Sequence, residues 1–127
     1  MCVLGEIKKV YQGKSFTGWK VFLKQGRFFH SIYMHKQILI PKGRWTLAVD
    51  EDRLPLHYVP LTDTGLGLCG FWMFRTRKQA REYRNYIIGF REKERKGKTS
   101  VRKVEMRGAV VEHEDGYRGQ WMKIVNE

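Results

Sequence analysis

Five residues carry the side chains that could hold a nucleotide: Trp72, Arg75, Arg107, Tyr117 and Arg118. Guanidinium groups present planar forks that match phosphate oxygens, and aromatic faces stack on bases. A second set, Arg77, Arg81, Arg84, Lys93 and Lys96, would instead follow a phosphate backbone. Both sets lie in or near the most basic part of the chain. Residues 75–103 hold twelve Lys/Arg against three acids, in a protein whose net charge is +12. Charge of one sign repels itself in a folded state; what it gains is faster capture of anions. The expected partner therefore carries phosphate, either as a small nucleotide or as a nucleic-acid polymer.

The remaining reactive side chains do not assemble into a catalytic set. Cys2 follows the initiator methionine, and processing there can expose a nucleophilic cysteine, but no base is placed near it in sequence. The only other cysteine is Cys69, so there is neither a disulfide framework nor a zinc knuckle. No two of His30, His35, His57 and His113 have the spacing of a helical or finger metal site. His113 stands between Glu112 and Glu114, whose charge would raise its pKa, and it is the general-base candidate if the protein is an enzyme acting on a nucleotide. Asp50, Glu51 and Asp52 read as a solvated turn. The glycines at 65, 67 and 70 have the wrong spacing for a dinucleotide fingerprint and precede a strand. We expect no catalytic residue, no metal and no cofactor.

The elements that must position these residues are mostly strands. Residues 7–11 form a short first strand that ends in a turn at 13–15. Trp19, Val21 and Leu23 alternate with Lys20, Phe22 and Lys24, giving one strongly apolar face. Gly26 breaks that strand, and residues 27–34 supply its aromatic-rich hairpin partner. Short strands are expected before Pro41 and over 44–49, followed by a loop-rich stretch that Pro55, Pro60, Gly65 and Gly67 bound. Residues 70–74 form a buried strand leading directly into a helix over 77–88. Thr76 and Gln79 have capping-box spacing at its start. Ala80, Tyr83, Ile87 and Phe90 form one apolar stripe, with Arg77, Arg81 and Arg84 on another face. Gly89 reads as the helix end, and residues 91–99 as a charged loop. A strand over 101–111, interrupted by a bulge at Gly108, and a last strand ending at Val125 are joined by a turn at Glu114-Asp115-Gly116. The architecture is α+β, an antiparallel, partly closed sheet packed on one main helix.

At 127 residues the chain is a single domain, 1–127, and 42% hydrophobic content is too high for a disordered basic tail. No run of about 18 apolar residues occurs, so no membrane-spanning helix is expected. Glu6, Lys8 and Lys9 precede any apolar run, unlike a signal peptide, and a cytoplasmic protein is expected.

Gly70-Phe71-Trp72-Met73-Phe74, Thr76, Ala80 and Tyr83, then Val104, Gly108, Val110, Glu112-His113-Glu114 and Gly116-Tyr117-Arg118 resemble a pattern in small phage and bacterial proteins. The pattern covers roughly residues 69–125 and departs at Trp72, where histidine is common. The size and β-rich layout are also similar to the Thoeris anti-defence protein 1 family, sponges that sequester cyclic ADP-ribose signals. That resemblance implies a non-enzymatic, homo-oligomeric nucleotide binder of phage origin, acting in a bacterial cytoplasm. It assigns no ligand residue.

Overall fold

Period-two alternation and a high content of aromatic and β-branched residues place most of the described residues in strands. The structure is a computed structural model that describes residues 4–31, 39–48, 70–91 and 98–125. Its elements are β1 (Ile7–Gln12), β2 (Phe16–Gln25), β3 (Phe28–Ser31), β4 (Ile40–Pro41), β5 (Thr46–Leu47), β6 (Phe71–Phe74), α1 (Arg77–Arg91), β7 (Lys98–His113) and β8 (Gly116–Ile124).

Every described strand pair is antiparallel, and β7 is the spine. One edge of β7 pairs with β2 from Lys24↔Lys98 to Phe16↔Met106, then with β1 from Gln12↔Ala109 to Ile7↔His113. β1 and β2 therefore lie end to end, and the break between them faces Gly108. There Gly13 N donates to Gly108 O at 3.1 Å. Gly108 has φ +84°, and the register shifts between Arg107 and Val110. This is the expected bulge, and only glycine adopts such a backbone without strain.

The other edge of β7 carries β8, whose far edge pairs with both β5 and β6. β6 also meets β2 at Trp19↔Phe74, so β2, β7, β8 and β6 curl back on themselves. At this seam a Cβ on Gly18 would overlap the Phe74 carbonyl oxygen. The architecture is the expected α+β arrangement, a partly closed antiparallel sheet with one helix against it.

The curl gives the sheet two apolar sides. Phe22, Phe71, Met73, Met106 and Met122 fill the concave side. Val21, Leu23, Trp72, Phe74 and Ala80 pack between sheet and helix, with Tyr83 beside them. β6 is buried on both faces, so its sequence is a continuous apolar run. Ala80 and Tyr83 occupy the helical stripe as expected; the side chains of Ile87 and Phe90 lie outside the described residues.

At the start of α1, Thr76 N donates to Gln79 Oε1 at 3.1 Å and Gln79 N donates to Thr76 Oγ1 at 3.2 Å. This is the reciprocal capping box. Thr76→Ala should cost ~1 kcal/mol of stability, read as a lower urea midpoint. An unchanged midpoint would show that this cap contributes nothing.

The helix end needs correction. α1 runs through Gly89 to Arg91, and Gly89 is absent from the glycines with positive φ. A glycine permits a C-cap without imposing one, and a helix interior tolerates it for ~1 kcal/mol. β7 also begins three residues earlier than the alternation indicates. The far half of the 27–34 strand, the acidic turn at 50–52, the glycines at 65 and 67, His35, His57, Cys2, Cys69, Lys93 and Lys96 lie outside the described residues. Among the described residues no helix is long and apolar enough to cross a membrane.

Candidate functional site

Arg75 leaves the end of β6 just as α1 begins, which aims its side chain at the β7–β8 turn. Its Nη2 donates to Glu112 Oε2 and to His113 O, both at 2.8 Å, and its Nε donates to Glu114 O at 3.0 Å. Nη1 donates to the Tyr117 hydroxyl, and the guanidinium stands 4.7 Å from the centre of that ring. The bond from Arg75 holds the Glu112 carboxyl below the usual carboxylate range and, in return, keeps Arg75 more firmly protonated. Arg75 is therefore a clamp between the strand–helix corner and the β-turn.

Tyr117 is the inner end of an aromatic row. Phe16 lies 4.7 Å from it between ring centres, and Tyr11 lies 5.1 Å from Phe16. Tyr11 also donates to Glu112 Oε1 at 3.2 Å. Burial, followed by the Glu112 charge, raises the Tyr11 pKa above its usual 10.0. Lys9 stands 5.0 Å over Tyr11, and Lys14 stands 5.2 Å from Tyr11 and 5.4 Å from Phe16.

Trp72 and Arg118 are register partners on β6 and β8, and both are buried. Phe74 and Tyr83 meet the Trp72 ring edge-on at 5.4 and 5.3 Å. Lys20 Nζ lies 4.1 Å from the ring centre and donates to Trp72 O at 3.0 Å. Lys20 is 1% exposed, although strand alternation places it opposite the apolar Trp19-Val21-Leu23 face. Both sides of β2 are covered because the sheet curls. Burial, with Arg118 adding its charge, lowers the Lys20 pKa to about 7.

His113 is buried as well, and its Nδ1–H donates to Gly5 O at 3.0 Å. Its pKa is lowered by burial, with Arg118 also lowering it, and not raised by the flanking acids. Glu112 turns toward Arg75 and Tyr11, while Glu114 is exposed. Sequence neighbours on a strand face opposite ways, which is why adjacency misled. Lys20, His113 and Arg118 thus form a buried basic cluster, with Arg118 acting electrostatically on the other two.

Arg107 is exposed on β7. Its guanidinium stacks 4.1 Å from the centre of the Trp45 ring, and Lys123 stands 5.0 Å from the same ring. On α1, Arg77 and Arg81 are exposed, and Arg77 lies 5.2 Å over Trp19. Arg84, four residues after the fully buried Ala80, is half-buried with its Nε enclosed. Among the described residues no three His, Cys, Asp or Glu side chains gather as metal ligands would.

The five nucleotide candidates therefore occupy three settings. Trp72 and Arg118 are buried, Arg75 and Tyr117 are clamped together, and Arg107 lies open on an aromatic ring. Sequence reasoning missed Lys20, Trp45, Tyr11, Phe16, Lys9 and Lys14. The last four had a signal, two aromatics separated by a glycine-containing break, with Lys9 before the first aromatic and Lys14 within the break. No protein-family model matches the chain, and no curated protein or solved structure matches it.

Proposed function

We propose that the protein is a non-enzymatic binder of phosphate-bearing ligands whose partner is a nucleic-acid strand held along its basic surface. The observation that carries this reading is the exposure of Arg77, Arg81 and Arg107, which make no ion pair with any described carboxylate. Trp72, Arg75 and Arg118 are by contrast engaged in the fold. Exposed guanidinium groups contact successive phosphates at little cost in desolvation, and the bound state gains from counterion release.

A second reading rests on the buried cluster of Lys20, His113 and Arg118 beside Trp72. Burial lowers the Lys20 and His113 pKa values, so a compact anion entering beside them would favour their charged forms, and a small nucleotide such as a cyclic immune signal would supply one. The protein would then be a phage counter-defence sponge, a homo-oligomer in the bacterial cytoplasm. Exposed Phe28 and Leu39, near the β3–β4 edge, would suit contact between copies.

Titration against a mixed-sequence single-stranded oligonucleotide and a nucleotide panel at two salt concentrations separates the readings. For a strand, Arg77→Glu with Arg81→Glu should lower the salt slope by about 1.4, roughly 0.7 per phosphate lost. Arg118→Ala should then matter little. For a small nucleotide, Arg118→Ala should abolish binding while the paired reversal mainly slows capture. Binding of neither ligand by the wild type at micromolar concentration would defeat both readings and point to an acidic protein partner.

A further inference from the structure

The break between β1 and β2 places two aromatic side chains at an edge that no other described strand covers. Among the described residues β1 pairs only with β7, and the row formed by Tyr11, Phe16 and Tyr117 ends at that sheet edge with no further described strand beside it. The row is rigid at its inner end, where Arg75 holds Tyr117 through its hydroxyl and ring. It is open at its outer end, where Tyr11 and Phe16 are half-buried and Lys9 and Lys14 are exposed. Among the described residues Glu112 is the acid bonded to this row, and the Arg75 bridge at 2.8 Å already neutralises it. Lys9 and Lys14 have no ion-pair partner among the described residues and rest against ring faces.

We propose that Tyr11 and Phe16 form a stacking platform for bases of a single nucleic-acid strand, with Lys9 and Lys14 taking the flanking phosphates. This rests on the nucleic-acid reading above and specifies where the bases go. A ring backed by another ring and a fixed guanidinium needs little ordering when a base settles on it. The lysines over the rings have long, mobile stems. An arriving base displaces them from the ring faces, and each ammonium exchanges a weak cation–π contact for a phosphate. A base offers a flat aromatic face and a phosphate together, which an acidic protein surface does not.

The test uses the whole protein, a labelled mixed-sequence 12-mer and an abasic 12-mer that keeps sugars and phosphates. Wild type should bind the intact strand about 5- to 150-fold more tightly than the abasic one, the range that one stacked base contributes. Tyr11→Leu, which keeps apolar cover, should lose most of that preference and bind the abasic strand as wild type does. Tyr11→Phe keeps the ring and should behave as wild type. Equal wild-type affinity for both strands, with steep salt dependence, would overturn the platform and leave the nucleic-acid reading standing. Unchanged binding in Tyr11→Leu would also overturn it, especially if Trp45→Leu loses the preference instead. A Tyr11→Phe loss as large as that of Tyr11→Leu would overturn it by showing that the hydroxyl bond to Glu112 is what matters. If neither strand binds, the nucleic-acid reading fails and the platform with it.

Discussion

Replacing Lys20 with methionine should stabilise the protein at neutral pH and remove most of its gain in stability between pH 7 and 9.5. Lys20 is fully enclosed, beside Trp72 and near Arg118, and its pKa falls from 10.5 to about 7. Between those values the unfolded chain holds a proton that the folded chain has released. Stability therefore rises with pH across that window and is lowest below it, where the buried amine must be charged. At ~1.4 kcal/mol for each pH unit the full span corresponds to roughly 5 kcal/mol. Tyr11, whose pKa is raised from 10.0, acts mainly above the pH 9.5 end of the comparison. His113 acts below it, since its lowered pKa removes stability as pH falls under 6.5. Methionine fills nearly the same volume and removes the cost of burying a charge, a cost that is largest where the amine is protonated. Urea denaturation of both proteins at pH 7 and 9.5 reads the effect. Parallel changes with pH in the two would show that another group carries the dependence.

Gly116→Ala should be the most damaging small substitution in the β7–β8 hairpin. A Cβ at Gly116 would overlap the Met73 carbonyl oxygen and lie 2.8 Å from Leu4 Cδ2. The obstruction is backbone of β6, held by the ladder from Phe71↔Gly119 to Phe74↔Gly116, so relief requires parting the strands that carry Trp72 and Arg118. Overpacking against backbone should cost ~3 kcal/mol. Gly13→Ala is the comparison, since Gly13 has φ +73° and nothing within 4 Å of its Cβ position. Backbone strain alone should cost that variant ~1–2 kcal/mol. If the urea midpoint of Gly116→Ala is no lower than that of Gly13→Ala, the close approach of β6 and β8 is not rigid.

Local patterns made much of the fold legible. Thr76 and Gln79 announced the helix start, Gly108 the bulge, and Asp115-Gly116 the hairpin, because each depends on hydrogen bonds or dihedral angles within a few residues. Gly89 failed as a helix end because glycine weakens a helix without forbidding it. The site was legible as a set of residue types and much less as an arrangement. Arg75 reads in sequence as one more cation in a basic stretch, yet it meets Glu112, Tyr117 and two carbonyls. Those partners lie far along the chain, and no periodicity relates them to it.

The amino-acid sequence by itself determined that this is one basic α+β chain whose strands and helix follow from alternation, capping and turn residues. Only the tertiary structure decided which charges remain available. Curling of the sheet buries Lys20 on a face that alternation assigns to solvent, and β8 pairing takes Arg118 in beside Trp72. The meeting of β1, β2 and β8 collects Tyr11, Phe16 and Tyr117. A charge is functional or structural according to what surrounds it, and those surroundings come from strands that sequence order does not place side by side.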